Sequence, residues 1–396
     1  MNILFDQTEA QALFFNGAAE YAQAVFFRML EKLDSYPEVK IYSLYSSDKS
    51  FRYERLSCDS LRGVKNVECV DYRGRTLCDI IKEYDIDILF VTCMQAFCDL
   101  PLGSLDNLPC KVVGVIHDLT DEELSSSHVF FLKHMDHPYI LLRSYLSKIK
   151  ARLTVGNIGS RRKQMLSMLT SNNADIVTVS EYTRNSINYN YPELNNRIHV
   201  FYAPEKQAPV MSESIECRAL DALVRGSSPY FLIVSADRVM KNALSMVRAF
   251  SRFAADGHSD FRIATVGDLP KVCEQHVTLP RLSSSDLEHA YANCHALLYP
   301  SMFEGFGYPP LEAMKYAKPV VCSNVCSMPS VLGDAPVYFS PIYETDMYGA
   351  LLRFSSMPYD ELKEKSLRRY ELVHSRQNSD LDKLVDKLMS GDFING

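Results

Sequence analysis

The chain has 396 residues, of which 47% are hydrophobic and 23% charged, and its formal net charge is −7. This length exceeds what one hydrophobic core usually serves, so two domains are expected, and the composition excludes a disordered chain. The negative charge argues against a nucleic-acid-binding protein. The eleven cysteines include no Cys-x-x-Cys pair, so they indicate neither a metal site nor a disulfide framework and are typical of a reducing compartment.

The N-terminal sequence Met-Asn-Ile-Leu-Phe-Asp lacks the basic region and the long apolar run of a signal peptide. No apolar run reaches the roughly 18 residues that are needed to span a bilayer. The sequence therefore predicts a cytoplasmic protein that does not cross a membrane.

Short, continuously apolar runs alternate with helical patterns along the chain. Such runs are typical of parallel strands buried on both faces, with helices as the crossovers, and they predict an α/β fold. The first series of predicted strands is 2–6, 39–44, 67–71, 86–91, 112–116 and 176–180. The second series is 230–236, 261–267, 276–279, 295–299 and 319–323. Residues 204–229 contain three prolines and a glycine and form the predicted linker between two domains, 1–205 and 206–374.

Two positions in the first domain lie where site residues of parallel sheets gather, beyond the carboxyl ends of strands. Gly17 follows the first predicted strand and opens a helix that runs to about Leu33. His117 directly follows the strand 112–116. From position alone, a plain helix start and a structural hydrogen bond are the alternatives for Gly17 and His117 respectively.

The segment 137–174 contains no acidic residue although the protein is acidic overall. A basic face beside an apolar run is the pattern of attachment to anionic lipid, so this segment is a candidate for peripheral contact with the inner face of the cytoplasmic membrane. A solvated, charged helix is the alternative. The basic residues are Arg143, Lys148, Lys150, Arg152, Arg161, Arg162 and Lys163.

The stretch 299–314, Tyr-Pro-Ser-Met-Phe-Glu-Gly-Phe-Gly-Tyr-Pro-Pro-Leu-Glu-Ala-Met, places Glu304 and Glu312 on either side of a glycine-containing loop. Pro310 suits a first helical position, so we expect a helix that begins near it and carries Glu312 in its first turn. Carboxylates accept hydrogen bonds from sugar hydroxyls, whereas a helix N-terminus and close backbone approach suit a phosphate. The stretch predicts a ligand with both groups; the alternative is a capped surface helix.

The setting Tyr-Pro-Ser-x-x-Glu-Gly-Phe-Gly-x-Pro-x-Leu-Glu-Ala-Met resembles the double-glutamate signature of the retaining glycosyltransferases of family 4, and residues 318–324 and 333–335 resemble its continuation. The resemblance implies the GT-B fold, in which two Rossmann-like domains with parallel sheets face a central cleft. It also implies that the last helix, about 375–396, packs back on the first domain. The sequences of the motifs are similar to those of bacterial polysaccharide mannosyltransferases.

In the second domain, the resemblance implies that Glu304 binds a hydroxyl of the donor sugar, that Glu312 binds the ribose and that Lys241 contacts the diphosphate. The amides of Gly305, Phe306 and Gly307 would contact sugar and phosphate, and the backbone near Leu282 would contact the base.

In the first domain, the resemblance implies that His117 orients the donor sugar and that Gly17 lies in the loop under the donor phosphates and the acceptor. Two residues in and after the first predicted strand of the second domain depart from the family pattern: Met240 stands where arginine is common and Ser235 where glycine is usual. Arg238 is our candidate for the missing positive charge; without it, donor affinity would be weaker.

No convincing metal-ligand set is present, because the two Asp-x-Asp pairs, Asp85 with Asp87 and Asp380 with Asp382, abut a strand and lie in the terminal helix. We therefore expect no metal cofactor. Lys241, Arg238 and the helix starts near Gly17 and Pro310 would stabilise the leaving diphosphate instead.

These features predict a retaining hexosyltransferase that uses a nucleotide-diphosphate sugar, with GDP-mannose favoured, and a glycan or lipid-linked glycan acceptor in cell-surface polysaccharide synthesis. A nucleotide-sugar epimerase of the same architecture is one alternative. A non-catalytic nucleotide-sugar-binding subunit is the other.

Overall fold

The computed structural model describes residues 1–11, 17–51, 54–124, 158–206 and 211–395. The described residues divide into two compact units. Unit 1 contains those within 1–124, 158–206 and 376–395, and unit 2 contains 211–375. Of the basic segment at 137–174, residues 137–157 lie outside the described part of the chain.

Unit 1 is built on a parallel sheet of seven strands in the order β3-β2-β1-β4-β5-β6-β7. The strand order reverses between β1 and β4, which makes the carboxyl edge of these two strands the topological switch point of the sheet. The strands are β1 Asn2–Asp6, β2 Lys40–Tyr45, β3 Val67–Asp71, β4 Ile88–Val91, β5 Lys111–Ile116, β6 Asp175–Thr178 and β7 Ile198–Val200.

Helices connect these strands as crossovers. They are α1 Gly17–Lys32, α2 Cys58–Leu61, α3 Leu77–Glu83, α4 Met94–Phe97, α5 Thr120–Leu124, α6 Ile158–Ser171 and α7 Glu181–Asn190, with 3-10 turns at Glu9–Gln11, Leu33–Ser35, Glu54–Leu56 and Pro192–Arg197. The hydroxyl of Ser180 accepts a hydrogen bond from the amide of Thr183 and caps α7. Serine is a preferred capping residue because its side-chain oxygen accepts from an otherwise unpaired amide of the first turn.

Unit 2 has a second parallel sheet, of six strands in the order β10-β9-β8-β11-β12-β13. Its order reverses between β8 and β11. The strands are β8 Tyr230–Ile233, β9 Arg262–Val266, β10 His276–Leu279, β11 Ala296–Tyr299, β12 Val320–Ser323 and β13 Val337–Phe339.

The helices of unit 2 include one, α8, inside the segment that the sequence predicts as a linker. They are α8 Arg218–Arg225, α9 Ala243–Ala255, α10 Ser284–Asn293, α11 Tyr308–Met314, α12 Met328–Leu332 and α13 Glu344–Ser356, with a 3-10 turn at Val239–Lys241. The long helix α14 Tyr359–Ser390 follows, and α15 Asp392–Asn395 comes last. Ser283 caps α10 by accepting a hydrogen bond from the amide of Asp286.

Each unit has its own apolar core between the sheet and its helices. In unit 1 the ring of Phe5 lies 5.0 Å from that of Phe26 on α1 and 5.3 Å from that of Phe90 on β4. In unit 2 the ring of Phe231 on β8 lies 6.0 Å from that of Phe250 on α9. Full burial of each such ring contributes about 1.5–3 kcal/mol, so these contacts fix the crossover helices on the sheets.

Within unit 1, the last part of α14 contacts α1 through ion pairs. Arg28 Nη1 lies 2.6 Å from Asp382 Oδ1, and Lys32 Nζ lies 2.8 Å from Asp386 Oδ1. Asp380 Oδ2 accepts a hydrogen bond of 3.0 Å from the amide of Tyr202. Asp380 therefore binds the main chain at Tyr202, and Asp382 forms an ion pair with Arg28.

All eleven predicted strands are present, with ends shifted by up to three residues. The sequence reading missed β7 and β13, which have three residues each and lie at the outer edges of their sheets. Runs this short carry too few positions for a periodic signal. Among the described residues, no helix is both long and apolar enough to cross a bilayer.

Candidate active site

The candidate site of unit 2 lies at the carboxyl edge of its sheet, where the strand order reverses. Lys241 ends the 3-10 turn that follows β8, and Glu304 lies in the loop that follows β11. Although 63 positions separate them in sequence, β8 and β11 are neighbours in the sheet. Ligands of open α/β sheets bind at such a reversal, because the two loops diverge there and leave room between them.

Three side chains donate to one carboxylate oxygen of Glu304. The Lys241 ammonium, the Tyr299 hydroxyl and the Ser301 hydroxyl all donate to Glu304 Oε1, the last two over 2.6 and 2.5 Å. Lys241 Nζ also donates to Tyr299 Oη over 2.7 Å. The side chains of Lys241 and Glu304 are only 10% and 13% exposed, so their charges compensate each other largely outside water.

The two oxygens of the Glu304 carboxylate differ in their hydrogen bonding. Within the part of the chain that the structure describes, no protein group donates a hydrogen bond to Glu304 Oε2. Burial alone would raise the pKa of Glu304, but the charge and hydrogen bond of Lys241, with Ser301 and Tyr299, lower it below its ordinary value. Glu304 is therefore an ionised carboxylate whose Oε2 can accept a ligand hydroxyl.

The loop that carries Glu304 is held by serines from the neighbouring strand and turn. Ser323, at the end of β12, donates to the carbonyl of Ser301 over 2.6 Å. Ser327 Oγ lies 2.9 Å from the carbonyl of Glu304 and 3.1 Å from that of Phe306. These bonds satisfy loop carbonyls inside the protein and fix the main chain on both sides of Glu304.

Gly307 ends this loop and precedes α11, with φ of 92°. Only glycine adopts this conformation without strain, and a Cβ at this position would overlap the methyl group of Met328. Gly305 and Gly307 are both buried. Phe306 is only 4% exposed and its ring contacts that of Tyr308 at 5.4 Å, so a contact of residues 305–307 with a ligand would come from the main chain.

The helix after the loop begins earlier than the sequence predicts. We expected a start near Pro310 with Glu312 in the first turn, but α11 begins at Tyr308, and Glu312 is its fifth residue. The left-handed conformation of Gly307 allows this earlier start. Both prolines then fall among the first four positions, where the N–H groups have no helical partner in any case.

Glu312 nevertheless has a defined partner on the neighbouring helix. Tyr291 of α10 donates its hydroxyl to Glu312 Oε2 over 2.6 Å, and the Tyr291 ring is buried. Burial, reinforced by the charge of Glu312, raises the pKa of Tyr291 well above its ordinary value, so the phenol keeps its proton and remains a donor.

The turn after β8 contains both departures from the family pattern. Ser235 has φ of 54°, in the left-handed region, which is a physical reason for the glycine that is usual there. Arg238 is exposed, and no described residue forms an ion pair with it. The carbonyl of Met240 accepts a hydrogen bond of 2.9 Å from the amide of Met302, which joins this turn to the Glu304 loop.

Leu282, the predicted contact of the base, lies half-buried between β10 and α10, next to the capping residue Ser283. In unit 1, Gly17 is the first residue of α1. The roles of Leu282 and Gly17 stay predictions.

His117 of unit 1 directly follows β5 and has a defined protonation pattern. Its Nε2 lies 2.9 Å from the carbonyl oxygen of Thr92, and because a carbonyl can only accept, Nε2 carries the proton. Burial lowers the pKa of His117, which favours the neutral ring. In that state Nδ1 is an acceptor that suits a hydroxyl. The ring of Tyr21 packs edge-on against the imidazole at 5.0 Å.

The buried Asp6 fixes Thr92, the residue whose carbonyl accepts a hydrogen bond from His117. Asp6 Oδ1 accepts from the amide and hydroxyl of Thr8 over 3.0 and 2.6 Å, and Oδ2 accepts from the amide and hydroxyl of Thr92 over 3.3 and 3.2 Å. Burial, opposed by these bonds, raises the pKa of Asp6 to about 6. Asp6 was not among the sequence candidates, although its place at the end of the first strand was the signal that could have found it.

The acidic pairs considered for a metal have other partners. Asp87 Oδ2 accepts a hydrogen bond of 2.7 Å from the amide of Asn2, and Asp380 and Asp382 hold the contacts described above. Among the described residues, no three His, Cys, Asp or Glu side chains are grouped so that they could hold a metal ion.

Comparison with known proteins gives the site a family context. Residues 221–341 match the family described as Glycosyl transferases group 1. Over 204 residues the chain is 26% identical to the O-antigen chain mannosyltransferase RfbU of Salmonella typhimurium, a match of 49% of this chain and 54% of that protein. Over 56 residues, 14% of this chain and 15% of that protein, it is 54% identical to the O-antigen chain mannosyltransferase B of Escherichia coli. The chain thus spans at most about half the length of these two relatives.

Two solved structures share the fold over nearly their whole length. The sucrose-phosphate synthase of Thermosynechococcus elongatus matches with a TM-score of 0.66 and 10% identity over 100% of both chains. HepE of Anabaena, in complex with UDP and glucose, matches with a TM-score of 0.64 and 12% identity over 98% of this chain and 100% of that chain. The α/β fold of the GT-B type is confirmed. Over residues 221–341 the chain is similar to the glycosyltransferases of group 1, and it resembles the bacterial polysaccharide mannosyltransferases among them.

Proposed function

We propose that this protein transfers a hexose, with retention of its anomeric configuration, from a nucleotide-diphosphate sugar to a glycan or lipid-linked glycan acceptor. The observation that carries the proposal is the Glu304 carboxylate. Its Oε1 is held by three donors, among them Lys241, while its Oε2 receives none from the described residues. A cation beside a carboxylate with one available oxygen suits a ligand that presents a phosphate next to a sugar hydroxyl.

Lys241 would stabilise the leaving diphosphate. An ammonium has three N–H donors, and the described contacts of Lys241 occupy two of them, at Tyr299 and Glu304. The third suits a phosphate oxygen. Arg238, exposed in the same turn, is the candidate for a second cation, and Met240 brings none.

In the proposed reaction the bond between the anomeric carbon and the phosphate oxygen breaks, and its electron pair stays on the diphosphate. The acceptor hydroxyl attacks from the same face, and its proton passes to the departing phosphate. Glu304 is not the nucleophile in this scheme, because its free oxygen is assigned to a sugar hydroxyl. Fixed positive charge at the leaving group then supplies the main stabilisation, and no metal cofactor is required.

GDP-mannose is the favoured donor and cell-surface polysaccharide the favoured product. Support comes from the similarity to two O-antigen chain mannosyltransferases. His117 would accept a hydrogen bond from the transferred sugar at Nδ1. Peripheral membrane contact through residues 137–174 and a lipid-linked acceptor are supported by the sequence pattern alone.

Turnover of the full chain tests the proposal. GDP-mannose and UDP-sugars are incubated with and without a mannose-containing oligosaccharide or lipid-linked glycan, and the products are separated by chromatography. We expect release of the nucleotide diphosphate and a new glycosidic product that both depend on the acceptor, with an α-linkage by NMR from an α-linked donor.

A Glu304→Gln variant keeps the size of the side chain, removes its charge and should lose transfer. An epimer or free sugar formed without an acceptor would instead establish the epimerase alternative. Nucleotide binding with no turnover on any acceptor class would establish a binding subunit.

A further inference from the structure

Each glutamate of the double-glutamate motif has its own buried tyrosine. Tyr299 Oη lies 2.6 Å from Glu304 Oε1, and Tyr291 Oη lies 2.6 Å from Glu312 Oε2. Both tyrosine rings are only 1% exposed. The two tyrosines come from different elements, the end of β11 and the last turn of α10, and each donates to its own glutamate.

We propose that Tyr299 and Tyr291 are positioning residues that orient Glu304 and Glu312 separately, Tyr299 for the sugar and leaving group and Tyr291 for the ribose of the donor. The inference rests on the proposed function, because it assigns a ligand group to each glutamate. Neither tyrosine is required to touch the donor.

The chemistry of both phenols suits this role. Burial raises the pKa of each tyrosine well above its ordinary value, so both keep their protons and act only as donors toward the carboxylates. A hydrogen bond to an ionised group restricts the carboxylate to one orientation before the ligand arrives, and this preorganisation avoids part of the ordering cost of binding.

The surroundings of the two glutamates differ, and so should the effects of losing each bond. Tyr299 also accepts a hydrogen bond from Lys241 over 2.7 Å, and the ammonium lies 4.9 Å from the centre of its ring. Tyr299 thus holds both the sugar-binding carboxylate and the cation of the leaving group. Groups that act on the charge that develops in the transition state affect kcat, whereas groups that bind an unchanging part of the substrate affect KM.

The test is a pair of single-atom deletions in the full chain. Tyr291→Phe should raise the KM for the donor and the Kd for the free nucleotide diphosphate about tenfold, with kcat within about twofold of the unchanged protein. Tyr299→Phe should lower kcat about tenfold and change the Kd of the free nucleotide diphosphate by less than about threefold.

Two further tyrosines provide matched controls. Tyr316 donates to Glu288, a glutamate of α10 outside the motif, and the buried Tyr230 donates to the carbonyl of Ala290 over 2.9 Å. Tyr316→Phe and Tyr230→Phe remove the same hydroxyl from the same unit and should leave KM and kcat within about twofold. Urea unfolding of all four variants shows whether a kinetic change exceeds what lost stability produces.

The inference is overturned if Tyr291→Phe and Tyr299→Phe behave like the controls, or if both give the same change in KM and kcat. Failure of the proposed function is a different result, since the unchanged protein would then bind no nucleotide or transfer no sugar.

Discussion

Lys241 contacts Glu304 Oε1 across the two strands at which the order of the second sheet reverses, with both side chains largely removed from water. Lys241→Met keeps the aliphatic stem of the side chain but leaves the Glu304 charge without its cation. Loss of one partner of a buried pair costs several kcal/mol, so we expect a fall of about 3 kcal/mol in the free energy of unfolding at pH 7. Urea unfolding measures it.

The stability that Lys241→Met loses should depend on pH. Because Lys241 holds the pKa of Glu304 below its ordinary value, the pair contributes stability above the unfolded pKa of about 4.3, and this contribution is lost as the pH falls. In Lys241→Met, burial dominates and raises the pKa of Glu304, so the deficit should shrink below about pH 5. Lys315→Met, which removes a 3.6 Å pair with Glu288, serves as a control with an expected loss under about 1 kcal/mol. A deficit of the same size at pH 4 and pH 7 would contradict the role of Lys241.

The raised pKa of Asp6 in unit 1 predicts the opposite pH dependence of stability. Burial raises its pKa to about 6 in the folded protein, so its stabilising contribution is present below the unfolded pKa of about 3.9 and is lost as the pH rises to 6. Asp6→Asn removes this titration. The difference in unfolding free energy between Asp6→Asn and the unchanged protein should therefore move in favour of the variant by about 2 kcal/mol between pH 4 and pH 7.

Chemical denaturation at four or five pH values across that range measures the Asp6 effect. The fixed cost of replacing the carboxylate, which accepts from Thr8 and Thr92, does not depend on pH and cancels. A constant difference from pH 4 to pH 7 would show that Asp6 has an ordinary pKa.

Gly307 should tolerate no side chain. Gly307→Ala places a Cβ at φ of 92° and against the methyl group of Met328, so we expect a loss of about 3 kcal/mol in unfolding free energy. Gly257 is a matched control, with φ of 104° and no heavy atom of the described residues within 4 Å of an added Cβ. Gly257→Ala therefore reports the backbone strain alone, about 1 kcal/mol. Equal losses in the two variants would show that Met328 is not tightly packed on Gly307.

Ser235 occupies a left-handed conformation that favours glycine, with φ of 54°. Ser235→Gly should raise the unfolding free energy by about 0.5–1 kcal/mol, the relief of strain less the greater freedom of glycine in the unfolded chain. Asn173→Gly, at φ of 48°, should change it less, because asparagine tolerates this conformation. Thermal and urea unfolding of the two variants compare these effects, and a destabilised Ser235→Gly would mean that the serine hydroxyl is needed.

Much of this fold could be predicted from local pattern. The continuous apolar runs identified the buried parallel strands, because a strand covered on both faces has no polar positions. The edge strands Ile198–Val200 and Val337–Phe339 carry no such signal and depend on their neighbours in the sheet. The start of α11 was placed two residues late, because the prolines indicated a first turn without showing that Gly307 is left-handed.

The candidate site was also predicted only in part. Glu304 and Glu312 could be found from the motif, since both lie within sixteen consecutive residues. The contacts that hold them could not, because Lys241, itself a candidate from the sequence, meets Glu304 from 63 positions away and Tyr291 meets Glu312 from 21. A tyrosine at the end of a buried strand, such as Tyr299, is the kind of signal that could have been used, since a buried phenol requires a hydrogen-bond partner.

Calorimetric titration of the full chain with GDP and UDP tests the central claim, a donor site in unit 2, most directly. We expect one of the two nucleotides to bind, Glu312→Ala to lose that binding, and Glu288→Ala, in which the glutamate lies outside the motif, to keep it. The base that binds then selects the donor. If neither nucleotide binds, or if Glu312→Ala binds as tightly as the unchanged protein, the donor site is not where we place it.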